Sequence, residues 1–465
     1  MTYRLSVPVL AAALALSVSC DGGSDPEVDS GPGTPDAGDE DRDSGPPPEV
    51  CQADPGPGPE PPDPGDAAPP PELDCGTPEF PDGTPLWRYP YLQSVTRTSA
   101  RIAWTSTAGG EGVLRWAPGP DGPWTEVSAT AESFPTSRTG QAEDYVAFDA
   151  TVEGLEANSA YCYEIVEDGT VLARNLRFDT AWEGTDRPVR ILALGDSGDS
   201  SDAQFAVRDA FMEQDYDVFL HLGDMAYNDG RFDEFEPHFF GAYRDTLHRI
   251  PVFPTMGNHE FITNSGQPYL DVYYLFEQAW QERDQERYYS FDYGNIHFTS
   301  LDSNEGTLIP IYLDTNGRND NDMFDWLIDD IGGSDADWKI VFMHHPFYSS
   351  SERGVRWSNV DRFRSLLEEA GVDLILVGHD HHYERTVPLR GRCTSPEPDG
   401  ITEIIAGGGG RSLRTIEDTT RWYSATSFNT DYSFLRLDVH GCRLHGQAFD
   451  TASNVVDDFV LNGCD

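Results

Sequence analysis

Lysine is almost absent from this sequence. Lys339 is the single lysine, and the 31 Lys and Arg residues face 81 Asp and Glu residues, giving a formal net charge of -50. Phosphate backbones and anionic lipid headgroups are held by fields of Lys and Arg, which such a chain lacks. The composition therefore argues against a nucleic-acid-binding protein and against a folded surface that adheres to acidic membranes.

The cysteines lack the spacing of a metal-binding cluster. The chain has seven of them and no Cys-x-x-Cys pair, which argues against a cysteine-rich zinc site. Apart from Cys20, an even number remains, and in an exported protein this predicts up to three disulfides. Cys51–Cys75 and Cys393–Cys442 are two possible pairs, and other pairings stay open. The six candidates are Cys51, Cys75, Cys162, Cys393, Cys442 and Cys464.

The first 20 residues have the pattern of an export signal. Arg4 precedes the apolar stretch Leu5–Val18, whose 14 residues are too short to span a bilayer comfortably and suit the core of a signal peptide. The stretch ends in small residues before Cys20, which resembles a bacterial lipobox. We therefore expect a lipoprotein of the bacterial cell envelope, periplasmic or at the cell surface, that contacts the membrane only through a lipid anchor on Cys20. An ordinary cleaved signal peptide is the alternative.

The segment after the signal is acidic and rich in proline. Residues 21–75 hold 16 Asp and Glu, 15 of the 34 prolines and one basic residue, Arg42. Such a segment cannot bury enough apolar surface to offset its ordering entropy. We predict a disordered tether over residues 21–82.

Residues 83–182 predict a β-sandwich. Short alternating runs such as Ala100–Trp104 and Glu111–Trp116 are separated by turn clusters rich in Gly and Pro. The run from Leu155 to Tyr161 resembles the tyrosine corner of fibronectin type III domains, with Tyr161 at the corner position. Nothing in this region carries chemistry, so we expect a scaffold.

Residues 188–463 predict an α/β domain. Buried strands alternate with amphipathic helices, here Ala203–Gln214, Asp322–Ile331 and Val360–Ala370. Each strand runs directly into Gly, Asp, Asn or His, and ligands of α/β sheets bind beyond the carboxyl ends of the strands. The predicted strands are 190–194, 218–222, 251–255, 339–343 and 372–377.

The polar residues at these five strand ends are oxygen and imidazole donors without a thiolate. Such donors suit Mn, Fe, Zn or Mg. Seven protein ligands are too many for one open catalytic ion and fit two ions that share a carboxylate. The glycine before each donor is expected to let the chain turn sharply. The donors are Asp196, Asp224, Tyr227, Asn258, His344, His379 and His381.

Five ordered sequence blocks resemble those of purple acid phosphatases, which belong to the calcineurin-like metallophosphoesterases. The resemblance covers roughly residues 85–463 and implies a fibronectin-like sandwich followed by a four-layer α/β domain, in which two packed sheets are flanked by helices. The blocks are Gly195-Asp196-Ser197-Gly198, Gly223-Asp224-Met225-Ala226-Tyr227, Gly257-Asn258-His259-Glu260, Val341-Phe342-Met343-His344 and Gly378-His379-Asp380-His381-His382-Tyr383-Glu384-Arg385.

The resemblance assigns the donors to two metal ions. Asp196, Tyr227 and His381 are expected to bind Fe(III), which tyrosinate favours and which gives a charge-transfer colour. Asn258, His344 and His379 are expected to bind Fe, Zn or Mn as a divalent ion, and Asp224 is expected to bridge both ions.

The implied activity is hydrolysis of phosphomonoesters by attack of a metal-bound hydroxide. His259 is expected to contact phosphate and protonate the leaving oxygen. Asp224 is expected to contribute to catalysis by holding both metal ions. The loop after His344 lacks the substrate-contacting histidines of plant-type members. Tyr348 or Arg353 is expected to take their place beside Asn258 and His259 in binding substrate.

Two alternatives remain at this stage. One is a phosphodiesterase or nucleotidase on the same site, and the other is a surface-binding lipoprotein whose metal domain is a relic. The intact set of seven ligands argues against the relic. The sequence predicts no oligomeric state.

Overall fold

The computed structural model describes residues 68–304, 321–395, 399–416 and 421–463. The predicted signal peptide, the tether up to residue 67, Cys20, Cys51 and Cys464 lie outside the described residues. No helix within the described ranges is both long and apolar enough to cross a membrane.

The first folded part is a β-sandwich, as the alternating runs predict. Its strands are β1 Leu86–Gln93, β2 Ser99–Ser106, β3 Gly112–Ala117, β4 Thr125–Ser128, β5 Thr130–Phe134, β6 Tyr145–Glu153, β7 Ala160–Glu167 and β8 Thr170–Asp179, with helix α1 Thr136–Thr139 after β5. They form two antiparallel sheets in the orders β1-β2-β6-β5 and β4-β3-β7-β8.

Successive side chains of each strand point to opposite faces of its sheet, and this alternation determines which residues form the core of the sandwich. Ile102 and Trp104 of β2 face the space between the two sheets, whereas Ala103 between them faces the second folded part. The backbone amide of Glu156 donates to the hydroxyl of Tyr161 at 2.8 Å. This hydrogen bond is the contact that a tyrosine corner makes, so Tyr161 has its predicted place.

The last part of the predicted tether is ordered. Cys75 forms a disulfide with Cys162 of β7, so the predicted pair Cys51–Cys75 is wrong. Arg177 donates to the carbonyls of Pro71 and Leu73 at 2.8 and 2.7 Å. This segment is ordered because the disulfide and these hydrogen bonds replace the hydrophobic burial that it lacks. Cys393 and Cys442 are also disulfide-bonded, and their pairing with each other stays a prediction.

The second folded part contains two large sheets. Strands β9 to β11 are parallel in a sheet of order β11-β10-β9-β21-β22-β23, and β13, β14, β15 and β19 are parallel in a sheet of order β12-β13-β14-β15-β19-β16-β20. Strands β17 and β18 form a separate hairpin. The strands are β9 Val189–Leu194, β10 Val218–His221, β11 Val252–Pro254, β12 Tyr289–Tyr293, β13 Ile296–Ser300, β14 Trp338–Phe342, β15 Leu374–Val377, β16 Tyr383–Thr386, β17 Leu389–Arg390, β18 Cys393–Thr394, β19 Thr402–Ala406, β20 Ser424–Phe428, β21 Ser433–His440, β22 Arg443–Asp450 and β23 Val455–Asn462.

The helices of this part follow the strands. The three predicted helices are present, although the third begins as a π-helical turn, Val360–Arg364, before α9. A second π-helical turn, Glu236–Phe240, precedes α4. The α-helices are α2 Asp202–Phe211, α3 Phe232–Phe235, α4 Gly241–Leu247, α5 Asn258–Ile262, α6 Gln267–Val272, α7 Asn321–Gly332, α8 Trp357–Asn359 and α9 Ser365–Ala370.

The two sheets pack face to face between helices. Ile340 and Phe342 of β14 lie in the core shared with β9 to β11, whereas Val341 between them packs with Leu327 of α7 and Leu367 of α9. On the outer face of the other sheet, aromatic rings of α2 and α4 contact Phe219 of β10. The layer order is helix, sheet, sheet, helix, which confirms the predicted four-layer α/β fold.

The sandwich and the α/β part share one interface. Tyr163 and Tyr91 donate their hydroxyls to the carbonyls of His248 and Val272 at 2.5 and 2.7 Å. Arg88, which is buried, pairs with Glu236 at 2.8 Å and lies 3.8 Å from the centre of the Phe240 ring. The sandwich is therefore fixed against the helical layer that carries α4.

Candidate metal centre

The carboxyl ends of β9, β10, β11, β14 and β15 meet at one place. The amide of Gly195 donates to the carbonyl of Ala406 at 2.8 Å, and the amide of Asp196 donates to the carbonyl of Gly223 at 3.0 Å. The amide of Gly378 donates to the carbonyl of His344 at 3.0 Å. These hydrogen bonds join the ends of both sheets, so their terminal side chains converge.

Three of the predicted ligands themselves have strained backbone. Asp196, Asp224 and His379 have φ values of 56°, 54° and 69°, in the left-handed region that non-glycine residues rarely adopt. Strain of this kind is retained where the surrounding structure demands it, often at functional sites. It turns each side chain away from its strand and toward the common space.

The first group of donors surrounds the hydroxyl of Tyr227. This hydroxyl lies 3.2 Å from Oδ1 of Asp196, 3.0 Å from Oδ2 of Asp224 and 3.3 Å from Nε2 of His381. Nδ1 of His381 is 2.7 Å from the carbonyl oxygen of Ser412, which directs Nε2 inward. All four side chains are buried.

The second group surrounds the amide oxygen of Asn258. Oδ1 of Asn258 lies 3.0 Å from Nε2 of His344 and 2.8 Å from Nδ1 of His379. Nδ1 of His344 is anchored at 2.7 Å on the carbonyl of Leu222, so its Nε2 faces the group. Nε2 of His379 is buried and has no hydrogen-bond partner among the described residues, so Nδ1 is the nitrogen presented to the site.

Asp224 belongs to both groups. Its Oδ2 atom, which accepts from Tyr227, also lies 3.4 Å from Nε2 of His344. The backbone amide of His259 donates to Oδ1 of Asp224 at 2.9 Å. One carboxylate between two clusters of oxygen and imidazole donors fits a pair of hard or borderline metal ions that share a ligand.

The carboxylates of the site attract positive charge, so a proton on His344 and a metal ion compete for the same place. Burial lowers the pKa of His344, but Asp224 outweighs burial and raises that pKa to about 9. Burial opposes ionisation of Asp224 as well, yet His344 and His259 hold its pKa below the ordinary value. Burial, together with the charge of Arg353, lowers the pKa of His379 and keeps a neutral imidazole available as a ligand.

Glu260 holds the ligand loops in place. Its carboxylate accepts hydrogen bonds from the backbone amides of Asp224, Met225, Ala226 and Gly257 at 2.8, 2.8, 3.0 and 2.9 Å. Glu260 belongs to one of the five sequence blocks, but this role was not predicted. The sequence feature that could have revealed this role is an acidic residue directly after the predicted site residues Asn258 and His259.

His259 lies beside the first group. Its Nδ1 is 2.5 Å from the carbonyl of Asn228, and its Nε2 is 3.8 Å from Oδ2 of Asp224. The Tyr227 and His259 rings are 4.4 Å apart. The anchored Nδ1 directs Nε2 toward the donors, and its role in proton transfer stays a prediction.

The two other predicted substrate residues have different placements. Tyr348 is buried in the core with α8 and α9, and its hydroxyl donates to the carbonyl of Gly391 at 2.6 Å, so its predicted contact with substrate is wrong. Arg353 lies at the edge of the site, with Nε 3.2 Å from Oδ1 of Asp380. Tyr348 lies three residues after the histidine pair, but its ring packs in the apolar core and does not face the site.

His345 also lies at the site. Its nitrogens form a group with those of His344 and His379, all within 4.8 Å of one another. Nδ1 of His345 is 2.9 Å from the hydroxyl of Ser303. His345 is half-buried and lies at the rim of the centre.

Known proteins share both folded parts of this chain. Residues 89–180 match the purple acid phosphatase N-terminal domain, and residues 189–383 match the calcineurin-like phosphoesterase family. Purple acid phosphatase 21 of Arabidopsis thaliana is 30% identical over 48% of this chain and 50% of its own length. Acid phosphatase type 7 of Mus musculus is 25% identical over 77% of this chain and 86% of its own length.

A solved structure agrees with these matches. The purple acid phosphatase PPD1 from seeds of yellow lupin, Lupinus luteus, superposes with a TM-score of 0.69 at 18% identity, over 80% of this chain and 74% of its own. The fold and the convergent donors define a calcineurin-like phosphoesterase. With its N-terminal domain, the chain belongs to the purple acid phosphatase family. The aligned region spans about half the length of the Arabidopsis protein.

Proposed function

We propose that the protein hydrolyses phosphomonoesters at a centre of two metal ions. The observation that carries this proposal is the convergence of all seven predicted donors, with Asp224 within reach of both groups. The relatives named as acid phosphatases support the same activity. Two bound ions would neutralise phosphate oxygens and lower the pKa of a water molecule, which supplies the nucleophile.

The protein's own residues orient the substrate and move the proton. Nδ1 of His259 is fixed on the carbonyl of Asn228, which leaves Nε2 to face the ester and to protonate the leaving oxygen. Asn258 and the guanidinium of Arg353 contact the phosphate from the second side of the centre. Asp380 restrains Arg353, so less ordering is needed when substrate binds.

We propose Fe(III) for the group of Asp196, Asp224, Tyr227 and His381, and Fe, Zn or Mn for the group of Asp224, Asn258, His344 and His379. A tyrosine oxygen is a hard anionic donor that suits ferric iron. A visible tyrosinate-to-iron band that disappears in Tyr227→Phe is the expected result. An iron-loaded wild type without such a band contradicts the iron assignment.

The activity is tested with the full chain loaded with metal. We expect hydrolysis of a chromogenic phosphomonoester to exceed that of the matching diester, and Asp224→Asn to remove both activities. Asp209→Asn, an exposed carboxylate in the last turn of α2, is the matched control and keeps activity. Faster diester hydrolysis favours the phosphodiesterase alternative, and no hydrolysis by the fully metallated wild type overturns the enzyme.

We further propose that the protein is exported and anchored through Cys20 in the bacterial envelope. The disulfide between Cys75 and Cys162 supports an oxidising compartment. Cys20→Ser is expected to move the protein from the membrane fraction to the soluble fraction. A variant that stays with the membrane contradicts the anchor.

A further inference from the structure

Arg411 lies next to the first group of donors, at a position that the backbone fixes closely. It follows the glycine run 407–410, and its amide donates to the carbonyl of Asp196 at 2.9 Å. A Cβ atom on Gly409 would lie 2.3 Å from the carbonyl oxygen of Gly195. The glycines therefore let this loop pack directly against the end of β9 and place residue 411 beside the centre.

The side chain of Arg411 covers the ring of Tyr227. Its guanidinium carbon is 4.6 Å from the ring centroid, which is within the range of a cation–π contact. Nη1 pairs with Oδ2 of Asp199 at 3.0 Å, and Nη2 donates to Oδ1 of Asn228 at 3.1 Å. These two partners hold the cation over the ring.

The same contacts connect Arg411 to His259. Asn228 accepts from Arg411 through its side-chain oxygen, and its main-chain carbonyl is the partner of Nδ1 of His259. The ring of His259 in turn lies 4.4 Å from that of Tyr227. Arg411 thus contacts or orients the two aromatic residues that the proposed chemistry uses on this side of the site.

We propose that Arg411 is a positioning residue that holds Tyr227 and lowers the energy of its ring electrons when Tyr227 binds iron. The proposal rests on the proposed function, in particular on the Tyr227–iron assignment. The electronic transition that gives the charge-transfer band moves an electron from the tyrosinate to the iron. A fixed positive charge over the ring opposes that loss of an electron, so the band of the wild type lies at higher energy than it would without Arg411.

The test compares visible spectra and iron content of the iron-loaded full chain. In Arg411→Gln the band moves to longer wavelength, because the cation is lost. In Arg411→Lys the charge is retained and the shift is smaller. In Asp199→Asn the loss of the neighbouring carboxylate leaves the cation less neutralised, and the band moves to shorter wavelength. Arg115→Gln, an arginine with two carboxylate partners in the sandwich, is the matched control and shifts nothing.

A second readout follows the link through Asn228. We expect kcat of Arg411→Gln to fall roughly tenfold or more, as is usual when a partner of a metal ligand is removed. The proposal is overturned if Arg411→Gln keeps its iron and its band coincides with that of the wild type. If Arg411→Gln loses iron, unshifted bands in both Arg411→Lys and Asp199→Asn overturn it. An iron-loaded wild type without a band refutes both the tyrosine ligand and this proposal. If that protein still hydrolyses the phosphomonoester, the proposed phosphatase activity is retained.

Discussion

At the scale of single residues, the strand-end pattern predicted which side chains converge, because their position depends on local chain order. Parallel strands end at one edge, so a donor directly after each strand reaches the same space. The roles of Tyr348 and Arg411 could not be read this way. They depend on loop conformation and on contacts between segments far apart in sequence.

The glycines beside the ligands have a different role from the one that the sequence predicted. Gly223 has a positive φ of 88°, but the strained conformation otherwise falls on the predicted ligands Asp196, Asp224 and His379 themselves. A Cβ atom on Gly257 would lie 2.1 Å from Oδ1 of Asp224. This glycine is needed for space, which the sequence alone does not reveal.

Gly257→Ala is therefore expected to displace Asp224 and weaken metal binding by roughly 10- to 100-fold. Calorimetric titration of the metal-depleted chain measures the change. Gly332→Ala is the matched control, because a Cβ atom there meets nothing within 4 Å. Metal affinity equal to that of the wild type in Gly257→Ala would contradict the argument.

At the scale of elements, the predicted strands and helices differ from the observed ones by a few residues at their ends. The strands were recognisable as near-continuous apolar runs because both faces of their sheets are buried. The ordered segment before β1 was missed because composition carries no signal of a long-range disulfide. One polar cluster, also unpredicted, joins three elements: His297 of β13 lies 2.8 Å from Asp292 of β12 and 2.9 Å from Asp330 of α7.

This cluster makes stability depend on pH. Burial lowers the pKa of His297, but the two carboxylates outweigh burial and raise that pKa to about 9. Because the folded-state pKa is above the ordinary value of about 6.5, the stabilisation is fully present below that pH and is lost as pH rises through about 9. Solvent screens the exposed Asp292, so we expect on the order of 1–3 kcal/mol.

Urea denaturation of the wild type and His297→Gln at pH 6 and pH 9.5 measures this contribution. We expect the difference in unfolding free energy between the two proteins to shrink at the higher pH. His445→Gln, which removes a partly exposed histidine paired with exposed Asp458, is the control and changes little at either pH. An equal difference for His297→Gln at both pH values would refute the cluster's role.

At the scale of the whole molecule, the charge of -50 has two parts. Residues 21–75 carry 16 acidic residues against one basic residue, and the folded part is acidic in its own right. An acidic surface repels phosphate esters at long range. Capture of substrate then depends on the positive charge of the proposed metal centre. The buried Asp196 and Asp224 do not act as surface charge.

The central claim is that seven residues hold two metal ions around one shared carboxylate. Elemental analysis of the purified, exhaustively dialysed full chain tests it most directly. The structure predicts two ions per chain in the wild type, one in His344→Ala, one in His381→Ala, and weaker binding of both in Asp224→Asn. A wild type that never holds more than one ion, or an Asp224→Asn variant that keeps both with unchanged affinity, would contradict the account.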